Sequence, residues 1–234
     1  DLERINQLIT EPKHRTGFDR NYWIWEEYNP ENSYMAVADV ARGDGADYSV
    51  FHIFKLETME IVAEYQGKPS LDMYANILFQ VGKEYGDALM VVENVGIGIS
   101  VLEKLQELEY PNVYFSIKGT HEYIDANSAQ FKNNAIAGFT TSSKTRPLIV
   151  AKLEEFIRNK LITVYSNRLF NEFKTFIWNN GKPQAMRGYH DDLVMSLAIG
   201  CWVRDTALTV NQRNTTYNKA LLDTMIFTTS RMNT

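Results

Sequence analysis

Residues 33–48, SYMAVADVARGDGADY, contain an uncharged apolar run that ends on a carboxylate. Residues 34–38 have the composition of a buried strand, and Asp39 follows them directly, ahead of a turn rich in Gly and Asp. The glycines of such a turn can take positive φ angles at no steric cost. We therefore expect Asp39 where a strand of the core meets solvent.

Acidic residues also border two later apolar segments. Residues 88–92, ALMVV, run into Glu93, and the pair Asp191-Asp192 opens the last apolar helix. Carboxylates packed together repel one another, so such a cluster persists when a divalent cation neutralises it. The pattern predicts one metal site formed by Asp39, Glu93 and at least one of Asp191 and Asp192.

The sequence leaves the roles of Asp191 and Asp192 open. One of them can cap the helix while the other binds metal. Helical phase groups Asp191 with inward positions of the helix and so favours it, but a one-residue shift of the helix start reverses this preference. His190, just before the pair, is a candidate to orient water or a ligand, and it also fits a residue that simply precedes the helix.

Two further acids, Asp44 and Asp47, follow Asp39 in the Gly-rich turn. They are candidate outer ligands, although a turn-forming role is favoured for Asp in this setting. Oxygen ligands without cysteine or clustered histidine favour Mg²⁺ or Mn²⁺ over zinc. Two such ions about 3.5–4 Å apart can activate a water and stabilise the leaving oxygen in phosphodiester cleavage. The predicted chemistry is that of a two-metal nuclease.

The 234 residues, 44% of them hydrophobic, are enough for one sizeable domain. We expect this domain at 34–205, preceded by a linker at 1–33 and followed by a peripheral tail at 206–234. The aromatic residues at 22–25 also fit an arm packed on its own domain. A single cysteine excludes a disulfide framework, and no apolar run approaches the roughly 20 residues that span a bilayer. The composition predicts a soluble, cytosolic protein.

Charge is distributed unevenly along the chain. Residues 1–117 carry 9 Lys and Arg against 20 Asp and Glu, whereas residues 118–213 carry 13 against 8. The second half could therefore hold a phosphate backbone. Lys144 and Arg146, beside the hydroxyls of residues 140–143, are candidates to bind DNA phosphates. An ordinary solvated loop is equally compatible with these residues.

The order of the predicted elements indicates the fold class. Three antiparallel strands are followed by helix, strand, helix, strand and further helices, one of them expected over 167–178. This is the order of an α/β, ribonuclease-H-like fold, with a mixed sheet and helices on both faces. Ligands of open α/β sheets bind beyond the carboxyl ends of strands, where Asp39 and Glu93 are expected. Residues 118–146 lack periodicity, and a loop of that length is usually functional or mobile.

Four motifs together resemble a known family: VADVARGDGADYS, VVENVG, GFTTSSKTRP and GYHDDLVMSLA. They are similar to motifs of the C-terminal nuclease domain of the large terminase subunit of tailed phages, especially T4-like ones, and cover about residues 30–205. The resemblance implies that Asp39, Glu93 and one of Asp191 and Asp192 form a catalytic triad that binds metal. It further implies a domain that cuts concatemeric viral DNA at the start and end of packaging.

The same resemblance implies partners. Large terminase subunits carry an N-terminal ATPase half, but this sequence contains no G-x-x-x-x-G-K-[ST] loop, so we expect no ATP hydrolysis by this chain. Docking to a portal and to a small terminase subunit, in the cytoplasm of an infected bacterium and transiently on the procapsid, follows from family membership alone.

Three other interpretations remain at this stage. A Holliday-junction resolvase or another ribonuclease-H-like nuclease would share the acidic site but cut branched DNA or RNA–DNA hybrid. A sugar kinase or actin-like ATPase shares the strand–turn–strand opening but needs a second, similar domain. The acidic cluster could also be vestigial in a DNA-gripping module, which metal-dependent cleavage would exclude.

Overall fold

The computed structural model describes residues 2–43, 45, 47–118, 123–124 and 133–204. A six-stranded sheet lies at its centre in the order β1-β2-β5-β4-β3-β6, with antiparallel neighbours except for the parallel pair β3 and β6. The strands are β1 (His14–Thr16), β2 (Tyr22–Ile24), β3 (Tyr34–Asp39), β4 (Ser49–Lys55), β5 (Glu60–Gly67) and β6 (Leu89–Val92). This mixed sheet confirms the predicted fold class.

Helices cover both faces of the sheet. They are α1 (Leu2–Leu8), α2 (Leu71–Glu84), α3 (Gly98–Glu107), α4 (Thr145–Arg158), α5 (Asn167–Thr175) and α6, residues 192–204. Apolar residues of α2 and α3 form one core with one face of the sheet, and those of α4, α5 and α6 form a second core with the other face. No helix among the described residues is long and apolar enough to cross a membrane.

Local sequence accounts for the start of α2. Ser70 has extended backbone angles, and its hydroxyl accepts the N–H of Met73. Such a side-chain cap satisfies a donor that has no partner inside the helix. Tyr74, Leu78 and Val81 then recur at helical spacing and are buried against the sheet.

The N-terminal segment packs on the domain. Strand β2 pairs with β5, and β1 pairs with β2, so both extend the sheet at the edge remote from β6. Tyr22, Ile24 and Trp25 are buried, as the alternative interpretation of these aromatic residues predicts. The role of residues 1–33 as a connection to another domain stays a prediction.

A second, three-stranded sheet follows α3. It consists of β7 (Phe115–Ile117) between β8 (Tyr123–Ile124) and β9 (Ala135–Ala137). Parallel bridges of Met90 with Val113 and of Glu93 with Phe139 join this segment to the main sheet. Residues 119–122 and 125–132, Asp44 and the predicted tail at 206–234 lie outside the described residues.

The helix expected over 167–178 is shorter than predicted. Helix α5 ends at Thr175, and an antiparallel hairpin follows, made of β10 (Phe176–Asn179) and β11 (Lys182–Ala185). Its turn is Asn180-Gly181, with φ angles of 49° and 76°. Asn-Gly is the pair that a two-residue hairpin turn favours, because both positions require positive φ. This local signal overrides the apolar residues at 176–178.

Candidate metal centre

Asp39 and Glu93 meet at the carboxyl ends of neighbouring parallel strands. The register pairs Ala38 with Val92, and the N–H of Glu93 donates to the carbonyl of Ala38 at 2.9 Å, so the two acids occupy the next rung. Strand residues alternate between faces. Val37 and Val91 pack in the core beneath α6, so Asp39 and Glu93 lie on that same face.

The segment after β6 holds Glu93 by backbone contacts. Glu93 forms a parallel bridge with Phe139, and the N–H of Asn94 donates to the Phe139 carbonyl at 2.9 Å. Helix α3 begins immediately beside it at Gly98. A methyl group at this glycine would overlap the carbonyl oxygen of Glu93, so only glycine allows this approach. The need for Gly98 was missed from the sequence, although VVENVGIG contains the signal of a tight turn.

Asp192 approaches the same cluster from the first turn of α6. Its Oδ2 accepts the backbone N–H of Tyr48, just before β4, at 3.1 Å. Burial, followed by the nearby charges of Glu93 and Asp192, raises the pKa of Asp39 well above its ordinary value. Burial also raises the pKa of Asp192 to about 6. The structure therefore brings Asp39 close to the carboxyl groups of Glu93 and Asp192, whose charges disfavour the ionised form of Asp39.

Asp191, the residue that helical phase favours, is bonded to other partners. Its Oδ2 accepts the N–H of Ala185 at 2.9 Å and forms an ion pair with Arg146. The described helix starts at Asp192, not earlier. The preference for Asp191 depended on where the helix starts. Of the two acids, Asp192 is the one whose charge helps to raise the pKa of Asp39.

Asp47 and His190 form a second group with Asp192. Nδ1 of His190 lies 3.7 Å from Oδ1 of Asp47 and 3.7 Å from Oδ2 of Asp192. The ring of His190 packs edge-on against Tyr48, with 5.2 Å between the ring centroids. One ligand atom from each of Asp47, His190 and Asp192 lies within 4.8 Å of the other two. These two secondary candidates thus adjoin the acidic cluster.

The two predicted DNA-binding residues differ in their surroundings. Lys144 is exposed at the start of α4. Arg146 also donates from Nε to the carbonyl of Pro183 at 2.9 Å, so it fastens the hairpin as well as Asp191. Ser142 and Thr145 exchange backbone-to-hydroxyl hydrogen bonds of 2.7 and 3.1 Å at this helix start. The hydroxyls near Lys144 therefore include a helix cap.

The donor set fits a hard divalent cation. Asp39, Glu93 and Asp192 offer only carboxylate oxygens, the ligands that Mg²⁺ and Mn²⁺ prefer. The raised pKa of Asp39 means that ionising the cluster is costly without a compensating charge. A bound cation would supply that charge. The residues present thus fit the metal site that the sequence predicts.

The fold and site define an α/β, ribonuclease-H-like domain with an acidic centre at the carboxyl ends of its strands. No family model matches the chain. Its sequence is 28% identical over 202 residues to the large terminase subunit of Thermus virus P23-45, covering 83% of this chain and 36% of that protein. The chain thus spans about a third of the length of that relative, and of a similar one from Thermus phage G20c.

Solved structures share the fold. The large terminase nuclease of the thermophilic phage G20c with bound magnesium has a TM-score of 0.63 and 21% identity, covering 84% of this chain and 93% of that one. The large terminase nuclease domain of Thermus phage P74-26 has a TM-score of 0.61 and 20% identity, with 84% and 91% covered. The G20c nuclease has also been solved with bound cobalt. The resemblance to large terminase nuclease domains is confirmed, with relatives from Thermus phages.

Proposed function

We propose that this chain is the metal-dependent endonuclease domain of a large terminase subunit. It would cut concatemeric double-stranded DNA at the initiation and termination of viral DNA packaging. The observation that carries the proposal is the convergence of Asp39, Glu93 and Asp192 at one end of the sheet. Its support comes also from relatives that are large terminase subunits and from neighbours that are terminase nuclease domains.

Two Mg²⁺ or Mn²⁺ ions are the proposed cofactor. Bound ions would activate a water and stabilise the leaving oxygen of the phosphodiester. Asp39, Glu93 and Asp192 would hold the ions with their carboxylate oxygens. Asp47 and His190 would be further ligands, since each has a ligand atom within 4.8 Å of one of Asp192. The Tyr48 N–H fixes the orientation of the Asp192 carboxylate.

Lys144 is the proposed phosphate contact. Its exposure at the start of α4, in the basic half of the chain, fits a residue that binds the DNA backbone without reading sequence. Arg146 would act mainly through the hairpin and Asp191, to which it is bonded. Arg146 would contact DNA only through the part of its side chain that is exposed to solvent.

The wider role of the chain is also a proposal. The domain would act together with an N-terminal ATPase half, a portal and a small terminase subunit. This would take place in the cytoplasm of the infected host, on the procapsid. We expect no ATPase activity from this chain by itself.

The test is nicking and linearisation of supercoiled plasmid with Mg²⁺, Mn²⁺ or EDTA. Wild type should cleave only with metal, and Asp39→Asn and Glu93→Gln should be inactive while folded. The matched control is Glu103→Gln, on an exposed position of α3, which should cleave like wild type. A four-way junction and an RNA–DNA hybrid are offered in parallel. Preference for either over linear duplex, or no cleavage of any substrate by folded wild type, would contradict the proposal.

A further inference from the structure

Helix α6 receives its N-terminal cap from another helix. The first N–H groups of an α-helix have no acceptor within it. The N–H of Val194 donates to Oε2 of Glu172 in α5 at 3.1 Å. Glu172 therefore satisfies a donor at the end of the helix that carries Asp192.

The side chains of Asp191 and Asp192, the two acids next to this helix end, do not cap the helix. An Asp beside a helix start commonly accepts one of these N–H groups through its own side chain. Here Asp191 is bonded to Ala185 and Arg146, and Asp192 to Tyr48. The cap from Glu172 thus leaves both carboxylates available to point away from the helix.

Glu172 is itself held in place. Its side chain is buried, and its Oε1 lies 3.4 Å from Nε2 of Gln66 in β5. Helix α5 is fastened to the same strand, because Nε of Arg168 donates to Oε1 of Glu64 at 2.8 Å. The capping group is therefore positioned relative to the sheet that carries Asp39.

We propose that Glu172 is a positioning residue of the metal centre. Because Glu172 caps α6, the side chain of Asp192 is not needed as a cap and stays turned toward Asp39. This inference rests on the proposed metal-dependent function. A buried N–H without an acceptor is costly. Without Glu172, the carboxylate of Asp191 or Asp192 would rotate toward α6 and accept the N–H of Val194. The metal centre would then lose Asp192 as a ligand, or it would lose the support that Asp191 gives to the neighbouring hairpin.

The test compares Glu172→Ala, Glu172→Asp and Glu172→Gln with wild type. Mn²⁺ binding is followed by electron paramagnetic resonance, the Mg²⁺ concentration for half-maximal plasmid nicking is measured, and thermal unfolding in EDTA reports stability. The control is Glu154→Ala, an exposed position of α4. Removing the support of a metal ligand typically costs 10–100-fold in metal affinity. We expect about that loss for Glu172→Ala, a smaller one for the shortened Glu172→Asp, and near-wild-type binding for Glu172→Gln, whose amide oxygen still accepts.

The outcomes separate positioning from stability. A lower unfolding temperature for Glu172→Ala with wild-type Mn²⁺ binding would overturn the inference and leave Glu172 a structural cap. If Glu172→Ala does not fold, Glu172→Asp decides, and wild-type Mn²⁺ binding by that folded variant would overturn the inference equally. Wild type that binds Mn²⁺ but cleaves no DNA would contradict the proposed nuclease. The ordered loss of Mn²⁺ binding in the variants would then still support the positioning role.

Discussion

Arg146 and Asp191, 45 residues apart in the chain, form an ion pair beside the candidate metal centre. The same arginine holds the carbonyl of Pro183 in β11, and the same aspartate accepts the N–H of Ala185. Together they fasten the hairpin to the starts of α4 and α6. The pair therefore separates the roles of two adjacent acids, because Asp191 is engaged here while Asp192 lies in the acidic cluster.

Asp191→Ala and Asp192→Ala should consequently differ. We expect Asp192→Ala to lose metal-dependent nicking below detection, because a ligand is removed. Asp191→Ala should retain Mn²⁺ binding and lose about 10–100-fold in rate, as is typical of residues that support a site. Arg146→Ala should match Asp191→Ala, and the double variant should be no worse than either. Loss of Mn²⁺ binding in Asp191→Ala, with retention in Asp192→Ala, would reverse this assignment.

Stability of the metal-free protein should depend on pH through Asp192. Its pKa of about 6 in the folded protein lies above the ordinary value of 3.8. A raised carboxyl pKa stabilises the fold below the unfolded value, and that stabilisation is lost as the pH rises through the folded value. In EDTA, Asp192→Asn should therefore gain unfolding temperature relative to wild type as the pH rises from about 4 to about 6. A constant difference across that range would contradict the raised pKa.

Magnesium should stabilise the folded protein more at pH 7.5 than at pH 5. Metal ligands must be deprotonated to bind, so protons compete with the ion where the carboxyl groups are still protonated. Burial and neighbouring charges favour the protonated form of Asp39. The measurement is the shift in unfolding temperature on adding Mg²⁺ at each pH. Asp39→Asn serves as the control and should show little shift at either pH.

Gly98→Ala should disturb Glu93. The added methyl group would overlap the Glu93 carbonyl oxygen, and relieving such overpacking typically costs about 1–3 kcal/mol. We expect a lower unfolding temperature and a higher Mg²⁺ requirement for nicking. Gly45→Ala, where an added methyl group meets open space, is the matched control. Equal behaviour of the two variants would show that α3 adjusts without moving Glu93.

Glu64→Ala should be strongly destabilising. Glu64 is buried and accepts hydrogen bonds from Ser166 and Arg168, with His52 at 3.2 Å. Burial alone would raise the pKa of Glu64, but the bond from His52 and the charge of Arg168 lower it overall. Removing one member of a buried ionic group costs about 3–5 kcal/mol. The exposed Glu103→Ala should stay within about 0.5 kcal/mol of wild type in urea unfolding. Similar midpoints for both variants would contradict a stabilising role of Glu64.

Local patterns predicted the fold well because its strands and helices follow simple rules. The uncharged runs ending at Asp39 and Glu93 are strands of the sheet, and their shared face follows from a period of two. Ser70 caps α2, as the preference for Ser at helix N-termini explains. The hairpin was missed because its apolar strand residues also fit the end of the preceding helix. Asn180-Gly181 was the signal that distinguishes the two structures.

The remaining errors concern contacts between distant segments. Helical periodicity shows which of Asp191 and Asp192 faces inward only if the first helical residue is known. That residue depends on the surrounding structure. The contacts of Glu172 with α6 and of Arg146 with the hairpin join residues that lie 22 and 37 positions apart in the chain. Such pairings leave no local trace in the sequence. The catalytic and metal-binding roles of the acids stay predictions until the variants are measured.

The buried polar group around Glu64 also constrains how the strands can align. His52 lies opposite Glu64 and Val37 in the register of β4 with its neighbours, and Ser196 of α6 lies 3.0 Å from the His52 ring. A slip of β4 by one residue would turn His52 toward the opposite apolar core and leave the carboxylate without that partner. The buried polar group therefore favours the alignment that also brings the acidic cluster together over alignments shifted by one residue.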